Sequence, residues 1–587
     1  MTSVSGGTFT WLDYGVFILM LLASLLVGFY FAYKSRNKAN DEFLLGSRSL
    51  TCVPVSMSLV VTYISAIALQ GSPAEIYYHN IQTVCGNVGL LAVPIAALVF
   101  VPFYYELQLV SVNQYLEMRY HSLAARRVAS ALFIIQILLN QAVVIYAPAL
   151  ALNAVTDFPL WVSIVTVGTI ASFYTAIGGL KAVVWTDALQ FMVLLGGIVA
   201  VIIKGMIEIG GLGKVWEIAV KHDRAGPQIF NWKVDVFERH TVFGIAWSGF
   251  HSTLSTYCCS QTAIQRYSSM KNLKHAYMSM FLIIPYYALL SFLMVLTGLV
   301  LFATYAECDP LKAGLISSKD QILPFYVIDR LNTVPGLAGL FTACLFSGAL
   351  STISSGVNSQ AAVTWEDWLV MIPRCASLPK STQAFITKIL ALVYGMIAVG
   401  LAFLAGSMGG VLQAAIAVTF AVAGPLMAAF IMAIFMPFTN AKGSCAAMIL
   451  GTVIALGFHF GSIAVGITPE LLPTSTDGCP ANLTIPTLPQ TPIVRVSDLD
   501  YPKKLLGLSY TLLGTLGFLV AIVIGIFISI ITGRYSVRSR RRQLYRQQRV
   551  ATEEMGDDLL RRTWFTSGCT GASLTPMTQS IFILMER

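Results

Sequence analysis

Apolar runs of about 20 residues recur along this chain of 587 residues, and they constrain it more than any motif does. In hydrocarbon every backbone N–H and C=O must find a partner inside the protein, which leaves only helices or closed barrels to span a bilayer. Uninterrupted runs of this length, rather than alternating runs of about 10, select helices. With 56% hydrophobic and only 11% charged residues, the expected fold class is an all-α polytopic membrane protein.

Thirteen spans are expected. They run from Trp11 to Tyr33, Thr51 to Tyr78, Thr83 to Leu107, Ala129 to Leu152, Trp161 to Ile177, Val184 to Glu208 and Thr241 to Gln261. The rest are Tyr277 to Thr304, Gly336 to Val363, Lys388 to Gly406, Gly410 to Met436, Cys445 to Gly466 and Leu506 to Ile531. The first is too long for a signal-peptide core, has no basic residue before it and is followed by Lys34, Arg36 and Lys38. It reads as an uncleaved span with its amino terminus outside. An odd number of spans then places the carboxyl terminus in the cytoplasm, where the strongly basic stretch 534–549 belongs. The net charge of +9 is accounted for by such lipid-facing segments, without a nucleic-acid partner. The sequon Asn482-Leu483-Thr484 falls in the long outer loop before the last span, as expected of a glycosylation site. Most of the ten cysteines lie in apolar runs, whereas Cys308 and Cys479 fall in outer loops, where a disulfide and two free thiols are both open readings.

Phe341 to Asp367 is the stretch on which function turns. It is apolar enough to cross a membrane, yet Gly348, Ser351, Thr352, Ser355 and Asn358 recur at helical spacing on one face. Such a face either packs closely against another helix or holds a small hard cation through its hydroxyls. The second reading needs an interrupted helix to supply free carbonyls. The second span offers one: Thr62, Ser65 and Gln70 interrupt it, Gly71 and Pro73 follow, and carbonyls around Val61 to Ala68 would be exposed. The seventh span has a comparable irregularity at Ser248-Gly249-Phe250-His251-Ser252. Each opens a group of five spans, and because five is odd the groups are inverted, a layout that points to a transporter's midplane site.

These residues, with Phe43-Leu44-Leu45-Gly46-Ser47-Arg48-Ser49-Leu50, Gly178-Gly179-Leu180-Lys181-Ala182-Val183, Thr186-Asp187, Gln190, Gln261 and Gln265-Arg266, resemble the sodium:solute symporter family over about Trp11 to Thr532. The resemblance implies a leucine-transporter type of five-plus-five inverted repeat. Residues 1–50 would hold the first helix and a loop, 51–240 and 241–440 the two repeats, 441–532 two further helices, and 533–587 a basic cytoplasmic tail. It also implies a sodium site built from backbone oxygens of Val61, Ile64 and Gly348 and the hydroxyls of Ser351 and Thr352. Asp187, Gln190, Ser354 and Ser355 are candidates for a second sodium. Asp187 has an alternative role near the start of its helix, where a carboxylate favours the dipole and caps free amides.

Within the family, Ser65-Ala66-Ile67, Gly71-Ser72-Pro73, Glu75-Ile76-Tyr77, Val411-Leu412-Gln413-Ala414-Ala415 and Gly424-Pro425-Leu426 resemble the branch that carries monocarboxylates, vitamins and iodide. The expected function is sodium-coupled import of a small organic monocarboxylate across the plasma membrane. The alternatives are a multivitamin (biotin or pantothenate) or iodide symporter, or a transporter-like sensor. Tyr63, Ser65, Ala68, Phe250 and Gln413 are the candidate solute-lining residues, with ordinary helix packing as the competing reading. An enzyme is not expected, because no HExxH or GxSxG motif is present. The partners expected are therefore sodium, a small anion and lipid, with the oligomeric state left open.

Overall fold

A computed structural model describes residues 9–35, 40–155, 159–407, 411–467, 471–480 and 494–533, and all structural statements concern those. Asn482 and the basic tail lie outside the described residues. Within them the regular structure is helical, the only β-type pairings being two isolated bridges. Nine helices are long and apolar enough to cross a membrane, and the bent pair Cys52–Tyr63 and Ala66–Tyr78 makes a tenth span. The protein is thus a multi-pass membrane protein.

The expected boundaries are met closely where apolar periodicity is uninterrupted. Trp11–Ser35, Leu337–Thr364 and Ala441–Val465 each fall within a few residues of the run read from the sequence. Two neighbouring runs behave differently. The fifth and sixth fall within one 50-residue helical element, Leu160–Ile209, broken at Gly179 with φ 62° and ψ −162°. A left-handed residue at this point requires glycine. A side chain there would also collide with Phe43, whose carbonyl lies 2.8 Å from the Cβ position.

Leu337–Thr364 is the organising element, with 89% of its spanning window buried by other helices. It runs along Leu160–Ile209, Trp11–Ser35 and Leu123–Val155. Its small residues allow that crowding, since Gly356 leaves room for Gln141 and Gly339 for the backbone of Asp13. Asp13 also accepts a hydrogen bond from the Gly339 amide at 2.9 Å, tying the first helix to the start of this one.

Both irregular spans are present; the second breaks within the expected Val61 to Ala68 stretch, and the seventh breaks at a different place. In the second span the helix ends at Tyr63 and resumes at Ala66 after a 61° bend. Pro73 and Gly71 lie inside the continuous outer segment Ala66–Tyr78. The seventh span is helical throughout Val242–Cys259, so no interruption occurs at Ser248–Ser252. It breaks instead at Ser260, extended at φ −80° and ψ 125°, and restarts as Gln261–Ser268. Gly249 serves close packing, because a Cβ on it would stand 2.1 Å from the carbonyl oxygen of Gly86. Cys308 and Cys479 form a disulfide across a sequence separation of 171 residues.

Candidate functional site

Two chain breaks and one hydroxyl-bearing helix build the site. Ile64 (φ −90°, ψ 77°) and Ser65 (φ −73°, ψ 170°) leave the helical region, so the amides that follow no longer stack over the carbonyls of the preceding turn. Gly348 faces this gap directly, and a Cβ there would lie 3.1 Å from the Ala66 nitrogen and 3.0 Å from Leu69. One turn on, the Thr352 hydroxyl donates to the Thr62 carbonyl at 2.9 Å and to the Gly348 carbonyl at 3.0 Å. Val61, Ile64, Gly348, Ser351 and Thr352 are all buried at this junction.

The candidates for a second ion lie beside it. Asp187 is fully buried and its Oδ2 accepts from Ser58 at 2.5 Å, Arg266 Nη2 at 3.2 Å and Ser355 at 3.5 Å. Its partners are side chains from other helices, not the amides of its own turn. Arg266 spreads over the same cluster. It donates to Ser58 at 2.8 Å, to Thr62 Oγ1 at 3.1 Å, to the Thr262 carbonyl at 2.9 Å and to Ser355. Thr62 and Ser355 hydroxyls are in turn 2.9 Å apart, so the two candidate ion sites share hydrogen-bonded neighbours. Ser354 donates to the Ser351 carbonyl at 3.0 Å, and Gln190 reaches Ser24 at 3.5 Å.

Several buried oxygens here have no well-formed hydrogen bond: Ser351 Oγ, Asp187 Oδ1, Gln190 Oε1, Ser347 Oγ and Asn358 Oδ1. An unpaired buried polar atom costs about 1–3 kcal/mol. Oxygen donors left free in a dry interior are the chemistry that a hard cation satisfies, so the residues present fit sodium. Arg266 is the residue that sequence reasoning missed as a functional one. A lone arginine closing an apolar span was the available signal, because such a charge must be paired.

A cavity of about 310 Å3 opens beside the break. Thr62, Tyr63, Ser65 and Thr352 form one wall, and Asn140, His251, Ser255, Tyr257 and Ser260 contribute elsewhere to its lining. Tyr63 and Ser65, both candidate solute-lining residues, are thus among the residues of this cavity. Ala68 lines a neighbouring cavity of about 470 Å3 together with Gly71 and Glu75. Phe250 stands apart from both and stacks on Trp247 with ring centroids 5.9 Å apart. The side chain of Gln413 lies outside the described residues. The polar contributions of Gln136, Asn140, Ser252 and Ser255 were missed, although each pair has helical spacing within an apolar run. Tyr63 OH donates to Ser260 Oγ at 3.3 Å, so the breaks of the second and seventh spans meet at the cavity edge.

The model of the sodium:solute symporter family matches residues 43–451. The chain belongs to that family. Among the symporter's relatives, the sodium-dependent multivitamin transporter of Oryctolagus cuniculus is 38% identical over 546 residues, covering 91% of this chain and 84% of that one. Sodium-coupled monocarboxylate transporter 1 of Xenopus laevis is 37% identical over 543 residues, covering 90% and 86%, and that of Homo sapiens is also 37% identical, covering 90% and 88%. In structure, a sodium-coupled sialic acid symporter in a substrate-bound outward-open state superimposes with a TM-score of 0.74 at 21% identity, covering 89% of this chain and 99% of that one. That likeness bears on the fold alone. The protein is a sodium-coupled secondary symporter and not an enzyme, and sodium is its coupling ion.

Proposed function

We propose that the symporter imports a small organic monocarboxylate with sodium across the plasma membrane by alternating access. The observation that carries this reading is the shared wall: Thr62 and Thr352 line the cavity and also meet each other at the break where sodium would sit. A sodium ion held by the Val61, Ile64 and Gly348 carbonyls and the Ser351 and Thr352 hydroxyls would brace the broken helix against Leu337–Thr364. Solute binding beside the break would then depend on the ion. Neutral ligands keep ion binding weak enough to reverse inside the cell.

An anion suits the cavity for two reasons. Ser65, the residue that precedes the helix Ala66–Tyr78, lines the cavity, and a helix amino terminus favours negative charge. Tyr63, Phe133, Tyr257 and Leu426 add apolar surface of the kind that accepts a short carbon chain. The relatives named above include both monocarboxylate and multivitamin transporters, at nearly equal identity, so biotin and pantothenate are the second reading beside a monocarboxylate. A second sodium at Asp187, Gln190, Ser354 and Ser355 would make the cycle carry one net positive charge for a monoanion. The membrane potential contributes about 2.3 kcal/mol per charge per 100 mV to such a step.

Thirteen spans in an inverted five-plus-five arrangement, with the amino terminus outside and the tail inside, complete the reading. The residue ranges 1–50, 51–240, 241–440, 441–532 and 533–587 form its parts. The Tyr63–Ser260 bond between two breaks five spans apart supports it, and so does a disulfide between two loops assigned to the oxidising side. The deciding experiment is voltage clamp on cells expressing the symporter, with lactate, pyruvate, nicotinate, biotin, pantothenate, iodide and glucose offered in turn. Sodium-dependent inward current with the monocarboxylates is expected. Equal uptake in potassium or choline would overturn the proposal.

A further inference from the structure

A second polar cluster sits at the far end of Ala66–Tyr78, away from the break. Glu75 and His79 are one helical turn apart, and His240 reaches them from the segment leading into Val242–Cys259. Glu75 Oε1 is 3.6 Å from His79 Nε2 and 3.2 Å from His240 Nε2. The three ligand atoms all lie within 4.8 Å of one another. Around a tetrahedral zinc ion with bonds of about 2.0–2.1 Å, neighbouring ligand atoms are separated by roughly 3.3 Å. Two of the separations already match that edge.

The chemistry also fits. Two imidazoles and one carboxylate are a borderline-soft donor set that suits Zn2+, and three protein ligands leave a fourth position open. Tyr510, from the segment before the last helix, holds His240 Nε2 through its hydroxyl at 3.0 Å. One feature competes for the carboxylate: Arg239 Nη2 lies 3.1 Å from the same Glu75 oxygen. Its side chain is 37% exposed and rests on the Tyr510 ring, so it can swing into solvent when a cation arrives. Lys319 and Asp320, whose charges also reach Glu75, offset each other. Access is open, because His79, Arg239, His240 and Tyr510 line a cavity of about 830 Å3.

We propose that Glu75, His79 and His240 form a Zn2+ site on the outer face of the symporter, and that a bound ion clamps the outer half of the broken helix to the entry of the seventh span. The assignment to the outer face rests on the topology proposed above; the ligand set does not. Those two segments belong to opposite halves of the proposed repeat, and alternating access requires the halves to move against each other. An ion bridging them slows the cycle without entering the transport site.

Titration of the purified full-length protein with ZnCl2 by calorimetry, with MgCl2 as control, tests the site directly. One Zn2+ per chain is expected, with affinity weakened at least about 10-fold in His79→Gln and in His240→Gln. His240 lies outside any helix, so His240→Gln provides a readout even if His79→Gln folds poorly. Zinc affinity unchanged in His240→Gln would overturn the site. Sodium-dependent uptake at saturating zinc tests the clamp: slowing is expected in the parent and not in His240→Gln, and unaltered uptake with zinc bound would overturn it. Because calorimetry is independent of transport, failure of the zinc site and failure of the proposed solute reading give different results.

Discussion

The Thr352 hydroxyl donates its proton to the Thr62 carbonyl at 2.9 Å, joining the hydroxyl-bearing helix to the last turn before the break. The same oxygen is a candidate sodium ligand, and its lone pairs remain directed away from that bond. Thr352→Ala removes both functions and Ser351→Ala only the second. Sodium half-activation of transport is expected to rise about 10-fold or more in each, equivalent to about 1.4 kcal/mol of lost ion binding. Thr352→Ser should stay near the parent. Sodium-activation curves normalised to surface protein provide the check; superimposable curves for the parent and both alanine variants would remove these residues from the site.

Asp187 and Arg266 make a buried ion pair whose members are 0% and 1% exposed. Removing one member leaves the other charge in a dry interior, at a cost of about 3–5 kcal/mol. Arg266→Ala should therefore lower the melting temperature strongly and reduce the amount of protein at the surface. The double variant Asp187→Asn with Arg266→Gln should recover part of the loss, because no net charge remains buried. Melting of purified variants decides the matter, and a double variant no more stable than Arg266→Ala would count against the pairing as the source of stability.

How far the sequence could be read depended on the kind of signal. Leu337–Thr364 was legible almost to the residue, because its apolar content sets its length and its small-residue stripe sets its buried face. The break in the second span falls inside the Val61 to Ala68 stretch that its polar residues mark, and not at Gly71 or Pro73. Pro73 sits where the loss of its amide and its fixed φ are absorbed inside a helix, while Ile64 and Ser65 carry the turn. Nothing in Ile64-Ser65 compels a break, so it reflects tertiary contact with Gly348. The seventh span failed for the converse reason: Ser248-Gly249 looks like a helix breaker, yet Gly249 is there so that two backbones can touch. Gly249→Ala should accordingly destabilise the protein by about 1–3 kcal/mol through overpacking against Gly86. Equal melting temperatures for Gly249→Ala and the parent would show that the contact yields freely.

The Cys308–Cys479 disulfide ties the loop after Leu273–Tyr305 to the loop that precedes the last helix. Closing a long loop constrains the unfolded chain, and loss of a native bridge typically costs about 2–5 kcal/mol in small domains. Cys308→Ser and Cys479→Ser should show equal drops in melting temperature, and the double variant the same drop, since all three remove one bond. Mass mapping with and without reductant should recover a linked peptide pair only in the parent. Additive losses in the double variant would indicate separate roles for the two thiols.

The cavity beside the break makes the last prediction the most specific. Asn140 comes from Leu123–Val155 and Ser255 from Val242–Cys259, and neither has been placed among the sodium candidates. If solute occupies this space, Asn140→Leu should raise the solute KM several-fold while leaving the sodium half-activation at saturating solute nearly unchanged. Thr352→Ala, which alters a wall shared by ion and solute, should shift both. That contrast follows from the geometry: a residue touching only the cavity perturbs one ligand directly, whereas a residue at the junction carries the coupling between them. Paired solute and sodium titrations on the two variants measure it. Equal shifts in sodium activation for Asn140→Leu and Thr352→Ala would mean that the cavity and the break are one site, not two adjoining ones.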